Sequence, residues 1–188
     1  LDLLLVTALS GAEQAANYSI VQRAFSVIPM SLGLFWVSLW PAYREALAAN
    51  HHHWAMRIFK KSTLLAALYA AGIGLLIAVL FEPATRLWIG HPINAGAVLI
   101  WGYASWHVLE SVGTSTAMLL NAASVVRIQV LLALGFALPC LAVKAWLAAE
   151  NLERFLPWAT LLLYLLLSLL PIFFARTRIH RLIHAKSL

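Results

Sequence analysis

Charged residues are scarce in this sequence, and cysteine is almost absent. Lys, Arg, Asp and Glu make up 11% of the 188 residues, whereas ordinary soluble domains carry about 25%. Apolar residues make up 63%, which is more apolar surface than a soluble domain of this length can hide in one core. The composition therefore excludes an ordinary soluble protein and indicates an integral membrane protein. The single cysteine, Cys140, excludes a disulfide within the chain.

Several patterns of chemistry are missing as well. The sequence contains no nucleophile–His–acid arrangement and no glycine-rich phosphate loop, so we expect neither an enzyme nor a bound cofactor. The His51–His53 tract has no carboxylate or cysteine partner, and the His107/Glu110 spacing has no second copy. We therefore expect no metal site.

The net charge of +6 would suggest nucleic acid as a partner of a soluble protein. In a membrane protein it is explained by cationic loops on the cytoplasmic side, so nucleic acid is not expected here. The sequence starts at Leu1, without Met or a signal peptide. From this start we expect a fragment of a longer chain.

Apolar stretches of about 20 residues, the length that crosses the hydrocarbon core, recur along the sequence. They predict one all-α transmembrane domain over residues 1–188, with six membrane spans of which the first is truncated. The predicted spans are about 1–10 (partial), 15–41, 62–81, 93–120, 125–147 and 155–175.

Lysine and arginine fall unevenly between the two sets of loops, which predicts the orientation. The cations assigned to the inner side are Arg44, Arg57, Lys60, Lys61, Arg127, Arg176, Arg178, Arg181 and Lys186. The cations assigned to the outer side are Arg86, Lys144 and Arg154. The pattern predicts a multi-pass protein of the inner (plasma) membrane with a cytoplasmic C-terminus.

Proline and small residues predict local features of the spans. "EPATRLWIGHP" predicts a short surface helix that begins near Pro83 and ends at Gly90. Pro29, Pro139 and Pro171 predict bends, which serve either as hinges or as static kinks. Gly72, Gly74 and the alanines of 66–71 have the small-residue spacing of closely packed helices.

The fourth span contains a carboxylate, Glu110, in "SWHVLESVGTSTAMLLNAAS". A charge near the bilayer midplane costs at least about 2.5–3.5 kcal/mol, so we expect this side chain to face protein or water or to be protonated. The helical repeat puts other polar residues on its face. They are Tyr103, His107, Thr114 and Asn121.

The second span carries a polar stripe of its own. It consists of Ser19, Gln22, Arg23 and Ser26. Its depth predicts that Arg23 lies opposite or beside Glu110. Two interpretations remain open: an ion pair that locks two helices, or a polar lining for an anionic or sugar-rich substrate.

Four stretches have a pattern in common with a known family: "ANYSIVQRAFSVIPMSLGLFWVSLWPAYREALA", "HHWAMRIFKKS", "LWIG" and "LLNAASVVRIQ". In them the sequence resembles the second half of bacterial polysaccharide flippases, in the multidrug/oligosaccharidyl-lipid/polysaccharide exporter superfamily. It implies the C-terminal lobe of a twelve-helix, two-lobe transporter, with the N-terminal lobe and the lipid bilayer as partners.

The resemblance also implies a function. The expected activity is O-antigen or polysaccharide export, by flipping of undecaprenyl-diphosphate-linked oligosaccharide through alternating access. Arg23 would attract the diphosphate, and Glu110 or His107 would carry a coupling proton. The alternatives are a multidrug or cation antiporter of the same superfamily, a membrane enzyme that acts on lipid-linked sugars, and a structural membrane subunit.

Overall fold

The chain is described by a computed structural model that covers residues 2–90, 93 and 95–174. Within these residues the structure is all-helical and contains no strand. The helices are α1 (Asp2–Leu9), α2 (Ala12–Phe25), α3 (Val27–Ala48), α4 (His52–Ile89), α5 (Ala97–Ala122), α6 (Val126–Ala149), α7 (Leu156–Tyr164) and α8 (Leu170–Phe174). A 3-10 turn, Glu153–Phe155, precedes α7, and a π-helical segment, Leu165–Leu169, joins α7 to α8.

Four helical stretches are long and apolar enough to cross a membrane. They are Ala12–Ala48, His52–Ile89, Val126–Ala149 and Glu153–Ile172. This result agrees with the predicted fold class, an all-α membrane protein. The prediction of six crossings is not established, because α1 has only eight residues and α5 is not among the four apolar stretches.

Proline explains the interruption between α2 and α3. Pro29 has no N–H to offer the carbonyl of Phe25, and its ring crowds that carbonyl. The helix therefore breaks at Ser26, whose own N–H bonds to the carbonyls of Gln22 at 3.0 Å and Arg23 at 3.2 Å. At the other end of the chain, the π-helical turn ends two residues before Pro171, where a shifted hydrogen-bond ladder accommodates the missing donor.

The predicted surface helix beginning near Pro83 is wrong as a separate element. Pro83 lies inside α4, which continues to Ile89 and ends at Gly90 with φ of 85°. A proline already has a helical φ, so α4 loses one hydrogen bond there and continues. With 38 residues, α4 is about 57 Å long, far more than the ~30 Å hydrocarbon core.

The long α4 also corrects the connection that precedes it. His52 to Lys61, predicted as a loop, forms the first turns of α4. Only residues 49–51 separate α3 from α4, and Asn50 makes the turn with a positive φ of 58°. The basic side chains of this region therefore sit on a helix that extends beyond the apolar stretch.

Helix α5 is the innermost element. Eleven of its 26 residues are buried, against seven of 38 in α4, and it packs on α2, α3, α4 and α7. Its contact with α4 is through small residues: Ala66, Ala70 and Gly74 are buried, and a Cβ at Gly74 would lie 3.5 Å from Ala104. The predicted small-residue contact is confirmed at these positions, whereas Gly72 has open space around it.

Candidate functional site

A cavity of about 260 Å³ lies between α5 and the helices on the side away from α4. Helices α1 and α2 contribute Asp2, Tyr18 and Gln22, and the break between α2 and α3 contributes Ser26. Helices α5, α6 and α7 contribute Tyr103, His107, Glu110, Lys144 and Thr160, and the remaining lining residues are Pro29, Trp106 and Pro157. We call this space the polar cavity.

An ion pair joins α1 to α6 at the polar cavity. The Lys144 ammonium donates to both carboxylate oxygens of Asp2, at 2.9 and 2.8 Å, and the two side chains are only 10% and 21% exposed. The Tyr18 hydroxyl of α2 donates to the same carboxylate at 3.2 Å. One carboxylate thereby ties three helices together through charge-assisted hydrogen bonds.

A second polar pair lies within α5. His107 Nδ1 and Glu110 Oε2 are 2.7 Å apart, at the i, i+3 spacing that places both side chains on one face of a helix. His107 is 8% exposed at its side chain and Glu110 35%. A protonated Nδ1 donates to the carboxylate whether the imidazole is neutral or cationic, so the contact is available in both states.

Aromatic rings form the inner wall of the polar cavity. Tyr103 lies between Tyr18 and His107, with ring centroids 5.7 and 6.0 Å away, and Phe25 stacks on both Tyr103 and His107. The Tyr103 side chain is buried, and its hydroxyl makes no hydrogen bond with any described residue, although it lies near the Tyr18 hydroxyl. A buried hydroxyl without a partner is costly unless a water or ligand satisfies it.

The structure brings together five of the eight residues predicted for the site. The five are Gln22 of α2, Ser26 directly after α2, and Tyr103, His107 and Glu110 of α5. Thr114 is half-buried outside that lining. Asn121 lies near the end of α5, where its Oδ1 accepts a hydrogen bond from Gln129 at 2.9 Å.

Of the two interpretations left open for Arg23 and Glu110, the ion pair is not found among the described residues. Arg23 is exposed and is not part of the lining, and among the described residues the ion-pair partner of Glu110 is His107. The physical reason is the helix repeat: residue 26, whose backbone angles are still helical, lies on the same face as residue 22, while residue 23 is turned by about 100° from residue 22.

Sequence reasoning missed the cation that does enter the polar cavity. Lys144 was assigned to an outer loop, but it lies inside α6 and is buried. The rule applied to Glu110 would have found it, since Lys144 interrupts "LPCLAVKAWLAA" and Asp2 interrupts "LDLLL". A charged side chain inside an apolar stretch requires a partner of opposite charge, and Asp2 and Lys144 are partners of each other.

The charge balance of the polar cavity differs from that expected of a site where Arg23 attracts a diphosphate. Its lining holds two carboxylates, Asp2 and Glu110, and one ammonium, Lys144. The sum is one negative charge with His107 neutral and zero with His107 protonated. No group of three or more His, Cys, Asp or Glu able to hold a metal occurs within the part of the chain that the structure describes.

No protein-family model, curated protein or solved structure matches this chain. Functional inference therefore depends on the polar cavity and on the resemblance carried by the motifs.

Proposed function

We propose that this chain is one lobe of a membrane transporter that exports a lipid-linked oligosaccharide, by alternating access, for cell-surface polysaccharide synthesis. One observation supports the proposal above the others: ionisable side chains from α1, α5 and α6 surround a single cavity in a bundle of membrane-length helices. Apolar surroundings make such side chains costly, and polar cavities within helical membrane proteins are characteristic of substrate and ion pathways.

In the proposal, the lipid tail stays in the bilayer while the polar head passes along a path that includes the polar cavity. The second lobe of the transporter completes the path. From the positive-inside distribution we propose that the C-terminus lies in the cytoplasm. The basic residues beyond Ala175 lie outside the described part of the chain.

Complementation tests this function. The gene that encodes the chain, with any upstream coding sequence, is introduced into a strain that lacks its polysaccharide flippase. Surface polysaccharide is then measured relative to membrane-inserted protein. We expect export from the native gene, a strong loss with Glu110→Gln, and no loss with Glu150→Gln, a matched carboxylate at an exposed turn.

Glu110→Gln is informative because Gln keeps the shape of Glu and its ability to accept a hydrogen bond from His107. The protein should therefore be made at near-normal level while losing the carboxylate charge. Full export by this variant would contradict the involvement of the polar cavity in transport.

A cation antiporter is the second candidate, and the charge balance of the polar cavity favours it. With His107 neutral, the lining has a net charge of −1 and attracts cations in preference to anions. The discriminating measurement is efflux of a lipophilic cationic dye from an efflux-deficient strain. Dye efflux that depends on Glu110, without restored polysaccharide, would replace the flippase proposal with the antiporter.

A further inference from the structure

The cation of the polar cavity is already neutralised. Lys144 gives hydrogen bonds to both oxygens of Asp2, and Asp2 also accepts one from Tyr18. A phosphate that bound Lys144 would have to displace a buried carboxylate and leave it without its counter-ion, which is costly. It would also approach Glu110, a like charge.

Arg23 does not alter this balance. It is exposed and outside the lining of the polar cavity. Among the described lining residues there is thus no cation without a carboxylate partner, so the polar cavity is poorly suited to a diphosphate.

The polar cavity is well suited to a neutral ligand with several hydroxyls. Its wall provides aromatic rings and the buried Tyr103 hydroxyl, which lies near the Tyr18 hydroxyl but forms no hydrogen bond of full geometry with a described residue. Gln22 adds an amide that both donates and accepts, and Glu110 adds a carboxylate that accepts. Small-molecule sites usually combine aromatic walls with a few precisely placed polar groups.

Size limits the ligand further. The cavity volume of about 260 Å³ lies just below the range of ~300–1,000 Å³ that holds drug-sized ligands. This space accepts one ring and not a chain of rings. Aromatic faces carry partial negative charge that attracts the C–H groups on the flat side of a sugar ring.

We propose that the polar cavity binds a single neutral sugar ring of the transported head group, and that the phosphates of that head group stay outside it. The inference rests on the proposed function, because it names the part of the substrate that this lobe recognises. It assigns Tyr103 as a ligand-contacting residue through its hydroxyl, and Gln22 and Glu110 as its polar companions.

Ligand binding to the purified full-length protein tests the inference directly. The protein is held in a detergent that has neither sugar nor phosphate. Saturation-transfer NMR is recorded with methyl glycosides of hexoses and N-acetylhexosamines, and ³¹P line broadening is recorded with methyl phosphate. We expect transfer to at least one glycoside and no broadening of methyl phosphate.

The decisive variant is Tyr103→Phe. It removes a buried hydroxyl that lies near the Tyr18 hydroxyl but forms no hydrogen bond of full geometry with it, so folding should be weakened little, while glycoside binding should weaken about two- to tenfold. The matched control is Tyr69→Phe, whose hydroxyl bonds Ser31 on an exposed surface away from the polar cavity, and it should bind glycosides as the native protein does.

Three results would overturn the inference. They are the absence of transfer to every glycoside, equal binding by Tyr103→Phe and native protein, and binding of methyl phosphate that depends on Lys144. Failure of the proposed function has a different signature: glycoside binding that depends on Tyr103, in a protein that does not restore polysaccharide export, supports the sugar site and rejects the flippase.

Discussion

The two sides of α5 are stabilised within the bundle by different interactions. Toward α4 the contact is dry and built from small residues, with Gly74 against Ala104. Away from α4 lies the polar cavity, where Tyr103, His107 and Glu110 face the Asp2–Lys144 pair. Close van der Waals packing stabilises the first side, whereas paired charges are required on the second.

The difference shows how α5 tolerates Glu110. The tight α4 contact covers one side of α5, and α2, α3 and α7 cover others, so the polar residues of α5 meet protein and the polar cavity in place of lipid. Because α5 contains this many polar residues, it is not among the helices that are apolar enough to cross a membrane by themselves. It is accommodated because its neighbours surround it.

Breaking the Asp2–Lys144 pair should have the largest effect. Lys144→Met leaves a buried carboxylate without its counter-ion, a change that typically costs about 3–5 kcal/mol. We expect a large fall in the amount of membrane-inserted protein and in its thermal unfolding temperature. Lys61→Met, at an exposed position of α4, is the control and should be neutral.

The double variant Asp2→Asn/Lys144→Met sharpens this result. It removes both charges and leaves an oxygen on residue 2 to accept from Tyr18, so much of the protein level should return. Equal losses in the single and double variants would show that the pair acts through shape and not through charge.

A larger side chain at the contact between α4 and α5 should have the second-largest effect on stability. Gly74→Leu pushes side-chain carbons into the backbone of α5 and should lower the free energy of unfolding by about 1–3 kcal/mol. Gly72→Leu is the matched control, because no atom lies within 4 Å of its added Cβ. Gly74→Ala should be tolerated, since its Cβ would rest at ordinary contact distance; unfolding temperatures of the three variants check the order.

Neutralising Glu110 should have a smaller effect on stability. Glu110→Gln turns a charge-assisted hydrogen bond into a neutral one, a loss of about 1 kcal/mol. Its unfolding temperature in detergent should fall only slightly. A loss as large as that of Lys144→Met would show that Glu110 serves to hold helices together, and the export defect expected above would then have a structural cause.

The exposed pair at the far end of α4 should matter least. Glu82 and Arg86 are 3.0 Å apart, but their side chains are 67% and 63% exposed, and such pairs contribute about 0–1 kcal/mol. Glu82→Gln should leave the unfolding temperature unchanged within error. A marked destabilisation would mean that the difference in exposure does not explain why this pair contributes less stability than Asp2–Lys144.

Several local features of the fold follow from the sequence alone. Pro29 removes a donor four residues after Phe25, so a bend before α3 is predictable from covalent structure, whereas Pro83 lies within a helix that continues. Gly90 ends α4 because only a residue tolerant of positive φ closes the helix there. Ala66, Ala70 and Gly74 face one direction because they are spaced by one helical turn, and the same repeat brings Tyr103, His107 and Glu110 together.

Partners that are distant along the chain required the tertiary structure. Asp2 and Lys144 are 142 positions apart, and their pairing depends on how α1 packs against α6. The sequence indicated that Glu110 needs a polar partner. The partner that it suggested was Arg23, a cation of suitable depth on the neighbouring helix. The rotation of each helix about its axis is set by packing over its whole length, and that rotation turned Arg23 outward and Lys144 into the polar cavity.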